Sequence, residues 1–414
     1  MRKRSVWAGV VLAIGFLAFW GTTSIGPAAA QTPGDDGDCD DILNTGGPDP
    51  IPGQGAATNG PASCSRAQLN VLTLVHTSQV VREVVAGRLL GQQICGGQQE
   101  DRTRTTDDNE REFVCIAQAG LVIDSALGYR QRLAGDGTIA IAPAAAVAAP
   151  SPVRKFNSWA DAKLSWLEPD SEDATPSDGL VVNLTGGVDY KLSKRIVFGL
   201  VGTYEDSDLD TDLGGFFGIT TTKAQAFGGG VYAGITLTDH LVFNAMFTGA
   251  AVNTDVTDVF GPSDLDSDRI QASAGITGYW YFGQTRVTPS LSIAWSKEWQ
   301  DEYVDSALFL NPDQSFETGV LSGGNQVGHT FALNNGMSIE PWLGYQLDWT
   351  FLNKIETDGF ATVDQGQMID LRIQSGLNWA IAENAQLALT GEIGGLLLRD
   401  SDTYAGEVNL AIQF

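Results

Sequence analysis

The sequence predicts an all-β transmembrane barrel of about 12 antiparallel strands, preceded by a small, mainly α-helical, disulfide-containing segment. Three observations lead there. The last residues, TYAGEVNLAIQF, alternate with period two, placing Tyr404, Gly406, Val408, Leu410, Ile412 and Phe414 on one face and Glu407, Asn409 and Gln413 on the other. The same alternation runs back to Phe156, through connections that are short and long in turn. Beyond Ala30 no stretch approaches the ~18 uninterrupted apolar residues of a spanning helix, so any membrane crossing must use strands.

In chain order, residues 1–30 read as a secretory signal peptide: Arg2, Lys3 and Arg4, an apolar run from Val6 to Trp20, then Ala28-Ala29-Ala30 before Gln31. Residues 31–64 form an arm rich in Gly, Pro and Asp with too little apolar surface to order itself. In the next segment, 65–137, Leu69, Leu72, Val75, Val80, Val84 and Leu90 predict a helix over Ser65–Gln93, and Val114, Leu121, Val122 and Leu127 a second over Glu110–Leu133. Cys39, Cys64, Cys95 and Cys115 are the only cysteines, and an even number in an exported chain predicts disulfides, with three pairings open. A helical hairpin would set Cys95 opposite Cys115 and leave Cys39 to Cys64. The Ala/Pro-rich stretch 138–155 reads as a linker.

From 156 to 414 the strand faces separate cleanly. Leu164 and Trp166 oppose Asp161 and Lys163; Leu184 and Val188 oppose Asn183 and Asp189; Ile369, Leu371 and Ile373 oppose Asp370, Arg372 and Gln374. An apolar outer face suits lipid, and a polar inner face suits a wet lumen. Asp161, Lys163, Asp189, Asp348, Asp370, Arg372, Glu392 and Glu407 are thus the candidate lumen charges, with Lys163 and Arg372 as partners for the acids. Gly187, Gly228, Gly230, Gly234, Gly376 and Gly394 leave lumen space for a helix or water. Asp206, Asp208, Asp210, Asp212, Asp264, Asp266 and Asp268 read as solvated loops; a calcium loop from Asp206 fails because Thr211 and Phe217 stand where Gly and Glu are needed.

Chemistry is sparse. His76, His240 and His329 are scattered and no G-x-S-x-G occurs, so neither an enzyme, a cofactor nor a metal site is expected. The net charge of −26 argues against nucleic acid as a partner.

A signal peptide, an N-terminal segment, an Ala/Pro-rich linker and a C-terminal barrel ending AIQF together resemble the autotransporter family of type V secretion, the barrel matching its translocator domain over Phe156–Phe414. The resemblance implies insertion in the lipid of the bacterial outer membrane. It also implies that the barrel-assembly machinery reads Tyr404, Val408, Leu410, Ile412 and Phe414, and that an upstream helix occupies the pore. The N-terminal segment would then lie at the cell surface or in the pore, with a surface partner the sequence does not name. That segment is short and lacks repeated β-helix rungs, unlike large passengers. Some members cleave their passenger by attack of lumen acids on a linker Asn; no Asn occurs between Thr138 and Phe156, which favours a hydrated, paired lumen. The alternative is a porin-like diffusion channel with a periplasmic N-terminal segment.

Overall fold

The computed structural model of the chain describes residues 60–90, three short strands between 122 and 141, and 155–414 apart from several stretches in the connections. Twelve long strands follow one another: β1 (Phe156–Pro169), β2 (Ser177–Ser193), β3 (Ile196–Asp212), β4 (Ile219–Thr238), β5 (Leu241–Asp258), β6 (Gly261–Gly278), β7 (Thr285–Gln300), β8 (Gln314–His329), β9 (Ser338–Thr357), β10 (Met368–Ala382), β11 (Ala385–Gly394) and β12 (Ser401–Gln413). Each pairs antiparallel with its neighbours in sequence, and β12 pairs with β1, so the sheet closes on itself without an edge. At the seam, Phe156 N donates to Phe414 O at 3.2 Å and Phe414 N to Phe156 O at 3.1 Å.

An even strand number puts both ends of the barrel on one side, with the connections 194–195, 239–240, 279–284, 330–337 and 383–384. The opposite rim carries 170–176, 213–218, 301–313, 358–367 and 395–400, and one tight exception, 259–260. Short turns and both termini mark the periplasmic rim of such a barrel, longer loops the outer rim.

Outward side chains set the membrane band. On β3, Ile196, Phe198, Leu200 and Tyr204 are apolar and face outward, a length matching the ~9–11 residues a tilted strand needs. Aromatic pairs flank it: Phe156 with Tyr190 at 5.0 Å near the turn rim, Tyr204 with Phe227 at 4.6 Å toward the loop rim. Tyr404, Val408, Leu410, Ile412 and Phe414 are exposed on the same outer surface.

The Asp-rich stretches are not loops. Asp206, Asp208 and Asp210 are outward residues of β3, and Asp264, Asp266 and Asp268 of β6, so the barrel wall continues past the apolar band. There Lys223 pairs with Asp208 at 2.8 Å, Thr221 donates to Asp210 at 2.6 Å and Asn253 to Asp266 at 2.8 Å. The alternation of the aspartates is itself strand periodicity; once outside lipid, the outward face changes from apolar to charged while the inward face stays polar or small.

Helix α1 (Gly60–Leu90) begins five positions before Ser65, where the sequence pattern starts it. Pro61 explains this, since its fixed φ and missing N–H suit the first helical turn. Where a second helix was expected over Glu110–Leu133, Val122–Ile123 and Arg130–Leu133 are instead strands, paired with each other and with Ile139–Ile141, which falls in the expected linker. β-Branched Val122, Ile123, Ile139 and Ile141 favour extended backbone. Cys39, Cys95 and Cys115 lie outside the described residues, and the Cys64 side chain is likewise not described.

Candidate functional site, the occupied lumen

Helix α1 lies inside the barrel. Leu69, near its beginning, packs with Leu167, Val181 and Leu209 toward the loop rim. Leu74 and Val75 meet Ala294 and Val320 at mid-height. Val80, Val81, Val84, Val85, Ala86 and Leu89 join Trp159, Val197, Val201, Tyr232, Val242 and Met246 toward the turn rim. The helix therefore runs from the loop rim to the turn rim. Its many valines are mediocre helix formers, so burial against the wall, more than propensity, holds it. A helix enclosed on all sides needs no single apolar stripe, and its polar residues are matched individually instead.

Thr73 Oγ1 donates to Glu205 Oε2 at 2.6 Å, His76 Nε2 lies 3.1 Å from Asp161 Oδ1, Arg82 donates to Ser292 Oγ at 3.0 Å and Arg88 Nε to Asp189 Oδ1 at 3.0 Å. Lys191 Nζ caps the helix end by donating to Arg88 O at 3.2 Å. Asp189 also accepts from Asn157 and from Tyr232, whose hydroxyl accepts the Trp159 indole N–H at 2.8 Å. One carboxylate of the wall thus gathers the base of the helix, β1 and β4.

The helix sits off-centre. It packs mainly against β2 to β8, away from β9 to β11. On that second side the lumen is filled by a charged cluster. Arg372 reaches Asp348 at 2.9 Å, Asp370 at 3.3 Å and Glu392 at 3.4 Å; Lys163 reaches Glu392 at 3.1 Å, and Gln374 donates to Glu392 at 2.6 Å. Asp161 accepts from Asn409 at 3.4 Å, and Glu407 lies beside it. The eight candidate lumen charges all face inward, but in three groups: Lys163, Asp348, Asp370, Arg372 and Glu392 together, Asp161 with Glu407 and His76, and Asp189 under Arg88.

Glu205, Arg269 and Glu298 form a further buried cluster, with Arg269 at 3.0 Å from Glu205 and 2.8 Å from Glu298. Arg286 and Glu340 form another at 2.7 Å. Glu205 and Arg269 stay hidden when the acidic stretches around them read as loop; extending the inward phase of β3 and β6 by a few residues finds both. Of the lumen glycines, Gly234 is the one that makes room for α1: a Cβ there would overlap Val85 Cγ1 and approach Leu89 Cδ1 to 3.2 Å. Gly187 and Gly376 instead accommodate lumen tryptophans, since a Cβ would fall 2.7 Å from Trp159 and from Trp342 respectively.

A closed twelve-strand barrel with an apolar outer band, a polar lumen and an internal helix defines a transmembrane β-barrel of the bacterial outer-membrane type. The family described as autotransporter beta-domain matches residues 158–392, and the chain belongs to that family. Among solved structures, the chain is similar to the translocator domain of the autotransporter NalP from Neisseria meningitidis (10% identity, 64% of this chain and 90% of that one, TM-score 0.51). It is also similar to the transport unit of the autotransporter AIDA-I from Escherichia coli (10% identity, 64% and 91%, TM-score 0.52). At these identities the likeness concerns the fold. Among curated proteins, none matches the chain.

Proposed function

We propose that this outer-membrane barrel is a non-enzymatic anchor, without cofactor, that holds its own N-terminal region across the membrane by α1. The observation that carries this is the direction of the helix. Leu69 is at the loop rim, while Arg88 is bound to Asp189 and Lys191 at the turn rim, where β1 also begins. With the loop rim outside, the arm 31–59 leaves the barrel at the cell surface. The chain leaves α1 at Leu90 and enters the barrel at Lys155, both at the turn rim, so we assign the connection between them to the periplasm. There the oxidising compartment favours a disulfide between Cys95 and Cys115. The signal peptide brings the chain to that compartment, and the strand from Tyr404 to Phe414 is what the barrel-assembly machinery recognises before the outer face meets lipid.

Two epitope insertions in the full chain test this, one after Gln54 in the arm and one between Gln98 and Glu112. The first is expected to label in intact cells, and the second only after the outer membrane is permeabilised. Surface labelling of the second insertion overturns the assignment, and protection of both in intact cells favours the channel reading with a wholly periplasmic N-terminal segment.

A further inference from the structure

Five arginines are buried among the described residues, and four of them meet carboxylates: Arg88 meets Asp189, Arg269 meets Glu205 and Glu298, Arg286 meets Glu340, and Arg372 meets Asp348, Asp370 and Glu392. Arg82 differs. It is 5% exposed, donates to the neutral hydroxyl of Ser292, and has no carboxylate within 4.0 Å among the described residues. A buried guanidinium is always charged, and leaving it without an ionic partner is costly. Its situation in the lumen suggests what offsets that cost. Beside α1 a crevice of 110 Å³ remains between the helix and β6 to β12, and Arg82 lines it. The crevice begins at the turn-rim residues Gly283 and Gln284 and continues to Asn378, Gln386 and Asn409. It is large enough for several waters or a small solute.

We infer that this crevice is a binding site for a small oxyanion, a carboxylate or a phosphate, held by the Arg82 guanidinium and by neighbouring amide groups. A planar guanidinium with unused donors matches either anion in a bidentate manner. Three acids also line the space, Glu83, Glu340 and Glu407. Glu340 is taken up by Arg286, by Asn378 at 3.1 Å and by Thr330 at 3.0 Å. Glu83 accepts from Gln79 at 3.2 Å and Gln326 at 3.4 Å. Glu407 lies beside Asp161, His76 and Lys163. These acids restrict the site to small anions that also bring hydrogen-bonding groups, and they make Glu83, adjacent to Arg82 in sequence, the residue that limits affinity. The inference does not depend on which side of the membrane the N-terminal arm occupies.

The test is calorimetric titration of the full-length protein, purified in a non-ionic detergent at low ionic strength, with inorganic phosphate and separately with acetate, glycerol serving as neutral probe. Saturable one-site binding of one or both anions is expected, with none for glycerol. Arg82→Gln should weaken it about tenfold or more, in line with the loss of charge-assisted hydrogen bonds. Glu83→Gln should tighten it, and this second variant leaves Arg82 in place should its loss disturb the helix. Heat-modifiable migration in gels reports that each variant still forms the barrel. Stronger binding of phosphate than acetate, or the reverse, identifies the anion the site prefers. Absence of saturable binding of both anions, or undiminished binding by folded Arg82→Gln, overturns the inference.

Discussion

The lumen has two walls of opposite character. Beneath the lower half of α1 the wall is apolar and cut to shape, with Val197, Val201, Val242 and Met246 against Val81, Val84 and Val85, and with Gly234 where the helix comes closest. Across the lumen no helix among the described residues fills the space, and the wall contributes its own long charged side chains, Lys163, Arg372 and Glu392 among them. On the helix side, methyl groups alternate with carboxylates that meet α1 directly, Glu205 at Thr73 and Asp189 at Arg88, whereas on the far side the charges pair with one another. Helix α1 is a built-in part of the protein on one side and a neighbour to a water-accessible crevice on the other.

Substitutions at each wall sharpen this contrast. The largest effect is expected for Arg372→Ala, which removes the cation shared by Asp348, Asp370 and Glu392 and leaves Glu392 with Lys163 as its cation; loss of about 3–5 kcal/mol should appear in urea unfolding of the detergent-solubilised barrel. Gly234→Leu attacks the helix-facing wall instead, and overpacking against Val85 should cost about 1–3 kcal/mol. Because the helix is what must yield, single-channel conductance should rise in Gly234→Leu and stay near wild type in Gly187→Ala, whose neighbour is Trp159. Should both variants conduct equally, α1 does not pack where Gly234 lies. Tyr232→Phe removes the acceptor for Trp159 and a donor to Asp189, and about 1–2 kcal/mol should be lost in the same unfolding assay. Smallest is Asp208→Asn on the outer extension, where the pair with Lys223 is solvent-exposed and the unfolding midpoint should stay at the wild-type value.

How much of this was legible beforehand divides along the same line. Strand faces could be read wherever lipid imposes a simple rule, as at Leu164 and Trp166 against Asp161 and Lys163. The rule faltered at Asp206–Asp210 and Asp264–Asp268, where the strands leave lipid and the outward face turns acidic, so that continuous strand looked like loop. The candidate charges could be assigned to the lumen by phase, but their partners could not. Lys163 and Glu392 are 229 residues apart, and nothing local links them. The buried residues of α1 were harder still. His76, Arg82 and Arg88 read as ordinary polar positions of a helix until the barrel enclosed them.

By itself, then, the sequence determined the strand periodicity, the closing strand ending in Phe414 and the location of a helix ahead of the barrel. These are set by neighbours two to four residues apart and by the solvent each face meets. Tertiary structure alone decided that Gly60–Leu90 is the segment held in the lumen, that it enters from the loop rim, that it leans to one side, and that Arg82 has no carboxylate within 4.0 Å among the described residues. Those outcomes rest on contacts between residues far apart in the chain. Many alternating strands could close the same barrel, and only the packing inside it selects which side chains meet.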